Sequence, residues 1–381
     1  MARTKAISLI QSGTTTVDLA EISGLIIENI QKATLANGLK SQSYTGNPAM
    51  GSVEYKRFAN ATSKAYGTAR AAGAGDRVTV PPVTVNLDRH REIIEEVAKF
   101  DLDTFGVSNL MARRADNHVS TVAAELDEVF FETAVISGVS YEPPSALDTV
   151  EKQVEGMIQA LETVKNDYVR GVPRNLMRLV CSPAFYGKLR NYLDGTENAN
   201  VDTAAEEFRV FHGVRVYSSV YLPAGINAVL MVEGAIAQPV VLYPYAEPEK
   251  IPLSNDYGVS LFYDYGVKAL TPDLIFFFEE GAGALGVLTV TSTDSETAGK
   301  TIITVAEKPL GGRKFVYKTH ATTAPTITYN QVLATSGSGA WTDLPANGEI
   351  EATNGHKITV AEIDVDDNKA KKAGSTTIVV E

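Results

Sequence analysis

The chain has 381 residues, 44% of them hydrophobic and 21% charged, with 30 glycines and a net charge of −12. That composition excludes a wholly disordered or fibrous chain, and the length predicts two or three domains. The acid excess has the wrong sign for sequence-independent nucleic-acid binding, which needs concentrated lysine and arginine. The single cysteine, Cys181, excludes an intramolecular disulfide and a Cys/His zinc cluster. MARTKAISLI is followed by polar QSGTTT, so the apolar core of a signal peptide is missing. No apolar run reaches the roughly 20 residues that span a bilayer; the longest, at 274–288, is broken by Glu279, Glu280 and three glycines. A soluble chain made in the cytosol is expected.

Between Val17 and Leu39, Leu19, Ile22, Ile26, Ile27 and Ile30 recur at helical spacing, which predicts one amphipathic helix stopped at Asn37-Gly38. Residues 51–82 place two short strand-like pieces, around Val53–Tyr55 and Val78–Val80, on either side of a Gly/Ala-rich tip. With so little apolar mass, this stretch predicts a projecting hairpin that rests on a neighbouring molecule. Val83–Leu87 alternates as a strand, and Ile93–Phe100 fits either a helix or a continued strand. From Asp103 to Ser137-Gly138, Leu110, Ala115, Val119, Val122, Leu126, Val129 and Phe130 largely share one face. A helix of about 28 residues, roughly 40 Å long, follows from the 1.5 Å rise.

After Pro143-Pro144 the pattern alternates: a helix at 148–164, a strand at 176–180, a helix at 185–193, and strands at 210–217, 228–232 and 240–243. This predicts an α/β unit over 145–255. Strands at 259–263 and 274–278 are expected to pair with 83–87 in a sheet against the long helix. From 286 onward the chain is rich in Thr, Val, Ile and Gly, with strands expected at 287–291, 301–305, 314–319, 326–329, 357–363 and 376–380, and with the only tryptophan, Trp341, in their core. That predicts a separate all-β sandwich domain.

The residues offer little chemistry. His90, His118, His212, His320 and His356 form no HxH, HxxxH or HExxH arrangement, and neither a GxSxG elbow nor a GxxxxGK[ST] loop occurs. Gly67–Gly75 reads as a flexible tip and Ser336–Gly339 as a turn. Cys181 reads as a buried structural thiol. Glu95-Glu96, Glu206-Glu207, Glu279-Glu280 and Asp364-Asp366-Asp367 are candidate cation ligands, the last group for calcium, but it lacks an EF-hand loop and reads as solvated surface. Tyr243, Tyr245, Tyr257, Tyr263 and Tyr265 read as sheet core and subunit contacts, with a carbohydrate or nucleotide platform as the alternative. Arg113-Arg114 and Arg89-x-Arg91 are candidates for intersubunit salt bridges. No catalytic, cofactor or metal residue is assigned, and no enzyme is expected.

The order of elements resembles the major capsid proteins of tailed bacteriophages, the HK97-type fold. The resemblance covers about 15–285 and rests on order and texture. It is carried by Val53–Val80, VTVNLDRH at Val83–His90, SNLMARRADNHVSTVAAELDEVFF at Ser108–Phe131, LRNYLDGTENANVD, and FHGVRVYSSVYLP at Phe211–Pro223. It implies an α+β fold with an N-terminal arm (1–50), an extended E-loop hairpin (51–82), a peripheral domain with a spine helix (83–144 and 256–285) and an axial domain (145–255). To these the chain adds an immunoglobulin-like β domain at 286–381, of the kind that decorates the surface of such particles.

The function implied is self-assembly, as hexamers and pentamers, into the icosahedral shell enclosing the genome. The double-stranded DNA is packaged without sequence-specific binding, in a virion whose protein is made in the host cytoplasm, with no membrane and no cofactor. The resemblance further implies a separate scaffolding protein, since no long scaffolding region precedes the arm, together with a portal and decoration proteins. Some members join subunits by a lysine–asparagine isopeptide bond. Lys56 and Lys64 lie in the corresponding loop, and no matching asparagine or glutamate is identified. The alternatives are an encapsulin-like shell protein, a phage tail tube protein, and an α/β enzyme carrying a carbohydrate-binding module.

Overall fold

The computed structural model describes residues 33–63, 65, 80–99, 107–144, 147–195, 209–243, 249–279, 285–337 and 339–380. Most of the helix expected at 17–39 lies outside them, as do Lys64, residues 66–79, where the tip of a hairpin was expected, and residues 196–208. Within the described part of 17–39, α1 (Leu35–Leu39) is a separate short helix after a break at Thr34; it buries Ala36 and Leu39 and contains Asn37-Gly38 instead of stopping there.

Strands β1 (Ser52–Lys56) and β2 (Pro82–Asn86) pair antiparallel, from Ser52 opposite Asn86 to Lys56 opposite Pro82. β1 alternates exposed Ser52, Glu54 and Lys56 with buried Val53 and Tyr55, the period of a half-buried strand. Val53, Tyr55 and Val85 pack on Ala237 and Leu270. β2 therefore pairs within its own hairpin and not, as its alternation suggested, with strands after 257.

The segment at 93–100 resolves to a strand, β3 (Arg89–Val97), which pairs along its whole length with β12 (Tyr257–Tyr265). β10 (Val240–Leu242) and β11 (Glu249–Lys250) bond the other edge of β12. Against this sheet lies α2 (Val107–Ser137), 31 residues and thus about 46 Å long. Val119, Val122, Leu126 and Val129 recur every three or four residues and meet Ile93, Val97, Val240, Leu242, Leu261, Tyr263 and Tyr265.

Farther along α2, Phe130, Phe131, Ala134 and Val135 lie on a second sheet. Its order is β4 (Val139–Ser140), β14 (Ile275–Glu279), β8 (Ile226–Val232), β5 (Met177–Cys181), β7 (Val214–Ser218) and β6 (Val210–Phe211). β12 and β14, expected in one sheet, thus belong to different ones. β9 (Ile236–Ala237) and β13 (Lys268–Ala269) form a short pair beside it. β5 is buried at every position and β8 at all but its last, as central strands covered on both faces are. One face meets α2. The other meets α3 (Val150–Glu162) and α4 (Pro183–Asp194), through Val154, Met157, Ile158 and Leu161 and through Phe185, Leu189 and Leu193. The Thr149 hydroxyl caps α3 by accepting from Lys152 N–H, and the Ser182 hydroxyl caps α4 by accepting from Phe185 N–H ahead of Pro183. The single strand expected at 210–217 is a tight hairpin, because His212 and Gly213 adopt φ of +47° and +86° between β6 and β7.

Described residues 285–380 contain strands and no helix. They are β15 (Gly286–Val287), β16 (Val290–Asp294), β17 (Lys300–Val305), β18 (Arg313–His320), β19 (Thr342–Asp343), β20 (Glu349–Glu351), β21 (Lys357–Asp364) and β22 (Ala370–Thr377). A five-stranded sheet, β15-β22-β21-β18-β19, faces a three-stranded one, β16-β17-β20. Val290, Ile303, Ile350, Ile358 and Val360 pack between them, and Trp341 lies with Ile327, Leu333, Ala361 and Ile363 on the far side of β21. The strand expected at 326–329 is absent; Ile327 there is a buried loop anchor. The last strand lies at 370–377 rather than 376–380, since the pattern AKKAGSTT conceals a strand whose Lys371 is buried.

Candidate functional site

The residues weighed as chemical candidates are spent on packing and on internal pairs. Among the described residues no group of three or more His, Cys, Asp or Glu is placed to hold a metal ion. Cys181 ends β5 fully buried, and burial pushes its thiol well above the ordinary range, which suppresses the thiolate. The acids after β21 cap a turn: Asp364 Oδ1 accepts from Asp366 N–H at 3.1 Å and Asp367 Oδ1 from Lys369 N–H at 3.0 Å, around Asn368 at φ +56°. Glu206, Glu207, Glu280 and Tyr245 lie outside the described residues.

Two of the arginine spots expected between subunits are satisfied within the chain. Arg91 Nε lies 2.8 Å from Glu125, and Arg114 holds Glu95 through Nε at 2.7 Å. The hydrogen bonds from Arg114 keep the Glu95 carboxyl below its usual range, and buried His118 approaches the same group at 3.1 Å. Tyr263 and Tyr265 stack with centroids 6.1 Å apart, and both hydroxyls donate to Glu125. They belong to the sheet core, as expected from the sequence. Tyr243, on β10's open end, donates to Asp264 at 2.7 Å, and His90 Nδ1 lies 2.7 Å from the same carboxylate.

The β1–β2 hairpin is attached to the body by polar contacts that sequence reasoning did not single out. Arg57, one residue beyond β1, donates from both terminal nitrogens to the two oxygens of Asp273 at 2.8 Å each, the planar bidentate geometry of a strong pair. Burial alone would raise Asp273, but Arg57 and Asn166 outweigh it and hold the carboxyl low. The Arg57 guanidinium also lies over the Tyr168 ring at 4.4 Å. Asn60 N–H donates to Asp167 C=O, and Arg170 to Ala61 C=O. Residues 57–61 are thus fixed against 166–170 and Asp273.

Around this frame large apolar side chains face solvent. Met50 and Phe58 flank the hairpin base, 83% and 63% exposed. Ile94 and Phe262 lie on the outer face of the β3/β12 pair, among Glu92, Glu96 and Asp264. Leu253, in the turn between β11 and β12, is fully exposed at φ +65°, a conformation that costs a leucine about 1–2 kcal/mol.

Residues 91–276, which run from β3 through β14, match the family model described as phage capsid protein. Over that span, a little under half of its length, the chain is similar to phage capsid proteins. A comparison with curated proteins found no match. Similar solved structures include a Mycobacterium phage Che8 chain, at 18% identity and TM-score 0.47, covering 63% of this chain and 93% of that one. A capsid chain of the cyanophage P-SCSP1u shows 12% identity and TM-score 0.48, over 65% and 88%. A chain of a virus-like particle from Pyrococcus furiosus shows 14% identity and TM-score 0.44, over 68% and 98%.

Proposed function

We propose that this chain is the major capsid protein of a tailed bacteriophage, with the HK97-type fold. It assembles with itself, as hexamers and pentamers, into the icosahedral shell around the genome. The observation that carries this reading is the match of 91–276 to the phage capsid family. Residues 1–50 are then the N-terminal arm, 51–82 the E-loop, 83–144 and 256–285 the peripheral domain with α2 as its spine helix, 145–255 the axial domain, and 286–381 an immunoglobulin-like domain. The hairpin base, braced by Arg57 on Asp273, supports the E-loop assignment, since a projecting arm with exposed Met50 and Phe58 is best buried on a neighbouring subunit.

A separate scaffolding protein, a portal, decoration proteins and non-specifically packaged double-stranded DNA complete the expected partners, in a virion assembled from protein made in the host cytoplasm. Negative-stain microscopy of the purified chain tests the proposal: closed shells support it, and dispersed monomers under all assembly conditions sink it. Shells filled with protein instead of DNA in the native source favour the encapsulin-like alternative.

A further inference from the structure

Among the described residues, the β unit at 285–380 makes a series of contacts where α2 passes into the six-stranded sheet. Lys308 donates to Glu132 at 2.6 Å. Leu310 packs into the cluster of Phe130, Phe131 and Val135. Gly311 N–H donates to Val135 C=O at 3.0 Å, filling an acceptor in the last turn of the helix. Gly311 and Gly138 meet backbone to backbone: a Cβ on Gly311 would overlap the Gly138 carbonyl, and one on Gly138 would come within 2.6 Å of Ala134 O and 2.9 Å of Ile275 O.

Arg313, its side chain wholly buried, reaches Ser140 of β4 at 3.0 Å and pairs with Glu279 of β14. Lys371, 4% exposed, pairs with Glu142 and donates to Asn330 at 2.9 Å, while Tyr329 donates to Glu142 at 3.3 Å. Buried charges of this kind are strongly destabilising when one partner is lost, so these pairs work only if the two units stay docked.

We propose that the β unit is a clamp on this junction: it fixes the end of α2 against β4 and β14 and thereby sets the direction in which the helix leaves the sheet. This goes beyond a surface decoration, which would need only a tether. The clamp is a property of the single chain. Its consequence for particle size rests on the shell reading above: in a shell the angle between helix and sheet enters the curvature, so a loosened clamp broadens the distribution of particle diameters.

Hydrogen–deuterium exchange on the full chain tests the clamp whether or not shells form. Glu132→Ala, Glu142→Ala and their combination remove clamp partners from the α2 side and leave every residue of the β unit in place. Arg313→Met and Gly311→Val remove them from the other side. The expected result is at least several-fold faster exchange in peptides covering 132–142, with peptides of α3 and of β16–β17 unchanged in the Glu132 and Glu142 variants. Unchanged exchange at 132–142 in the double Glu132/Glu142 variant overturns the proposal, and so does a wild-type chain whose 132–142 exchanges as fast as its exposed turns.

Discussion

Asp127, in the middle of α2, caps a helix that begins 92 residues earlier: its Oδ1 accepts from Ala36 N–H at 2.9 Å, and its Oδ2 from Leu35 N–H at 3.1 Å. Thr34, at the position where a local cap would sit, provides no side-chain cap to α1. The first N–H groups of a helix need acceptors, and here a carboxylate from the long helix supplies them. Leu35 and Ala36 are thereby fastened to the same element that the two main sheets pack against.

This contact makes a signed prediction. Burial raises the Asp127 carboxyl above 3.8, and the two backbone N–H groups only partly offset that. A raised carboxyl means that the docked state binds the proton more tightly than the released one. Docking is therefore strongest below the released value and weakens as pH climbs through the folded one. At neutral pH Asp127→Asn drops the buried charge but turns one of the two acceptor oxygens into a donor facing an N–H, so it should cost less than removal of the whole group. Asp127→Ala should lower stability by about 1–2 kcal/mol. Urea unfolding of both variants at neutral pH measures the difference.

A second network has the opposite sign. Glu155 of α3 accepts from Arg174 at 2.8 Å and from His212 Nδ1 at 2.6 Å, and Arg174 also holds Glu162. Burial works to raise Glu155, but the hydrogen bonds from Arg174, His212 and Gln159 pull it down to about 2. A depressed carboxyl contributes its stability above the ordinary value of 4.5 and loses it as pH falls toward about 2. Glu155→Gln should cost about 1–3 kcal/mol at pH 7. The gap between variant and wild type should close as unfolding is repeated at progressively lower pH across that window.

Leu253 separates monomer stability from assembly. Its φ of +65° suits asparagine, which tolerates the left-handed region, better than leucine. Leu253→Asn should therefore leave the thermal midpoint unchanged or slightly higher. If the residue is held exposed for a subunit contact, the same variant should slow or abolish shell formation, read by light scattering. Normal assembly of the variant would remove Leu253 from the contact surface.

The buried thiol gives a simpler expectation. Cys181 should resist a thiol-reactive dye in the folded chain and label fully in denaturant, with a protection factor that tracks global unfolding. Rapid labelling under native conditions would contradict its place at the end of β5.

What could be read from the sequence was whatever is local and periodic. α2 was legible because Val119, Val122, Leu126 and Val129 mark one face, and α3 and α4 for the same reason. Strand partners were not, because alternation in Val83–Leu87 says which face is buried and nothing about what lies alongside; β2 pairs with β1, and β12 with β3. The anchors were equally hidden. Arg57 and Asp273 are 216 residues apart, and an exposed-looking arginine has no sequence mark that distinguishes it from one in a bidentate pair. β22 was misplaced because its two lysines look like solvent, while Lys371 is buried against Glu142. His212-Gly213 carried a usable turn signal that the apolar residues on either side outweighed.

The central claim is that the stable unit is an assembly of many copies braced through the β1–β2 hairpin. Electron microscopy of the full-length chain beside Arg57→Ala, which releases the hairpin base from Asp273, tests it most directly. The wild-type chain is expected to form closed shells, with hairpins crossing onto neighbouring copies, and the variant fewer or malformed shells at nearly unchanged monomer fold. A wild-type chain that remains a folded monomer under every condition, or shells whose hairpins touch no neighbour, would contradict it.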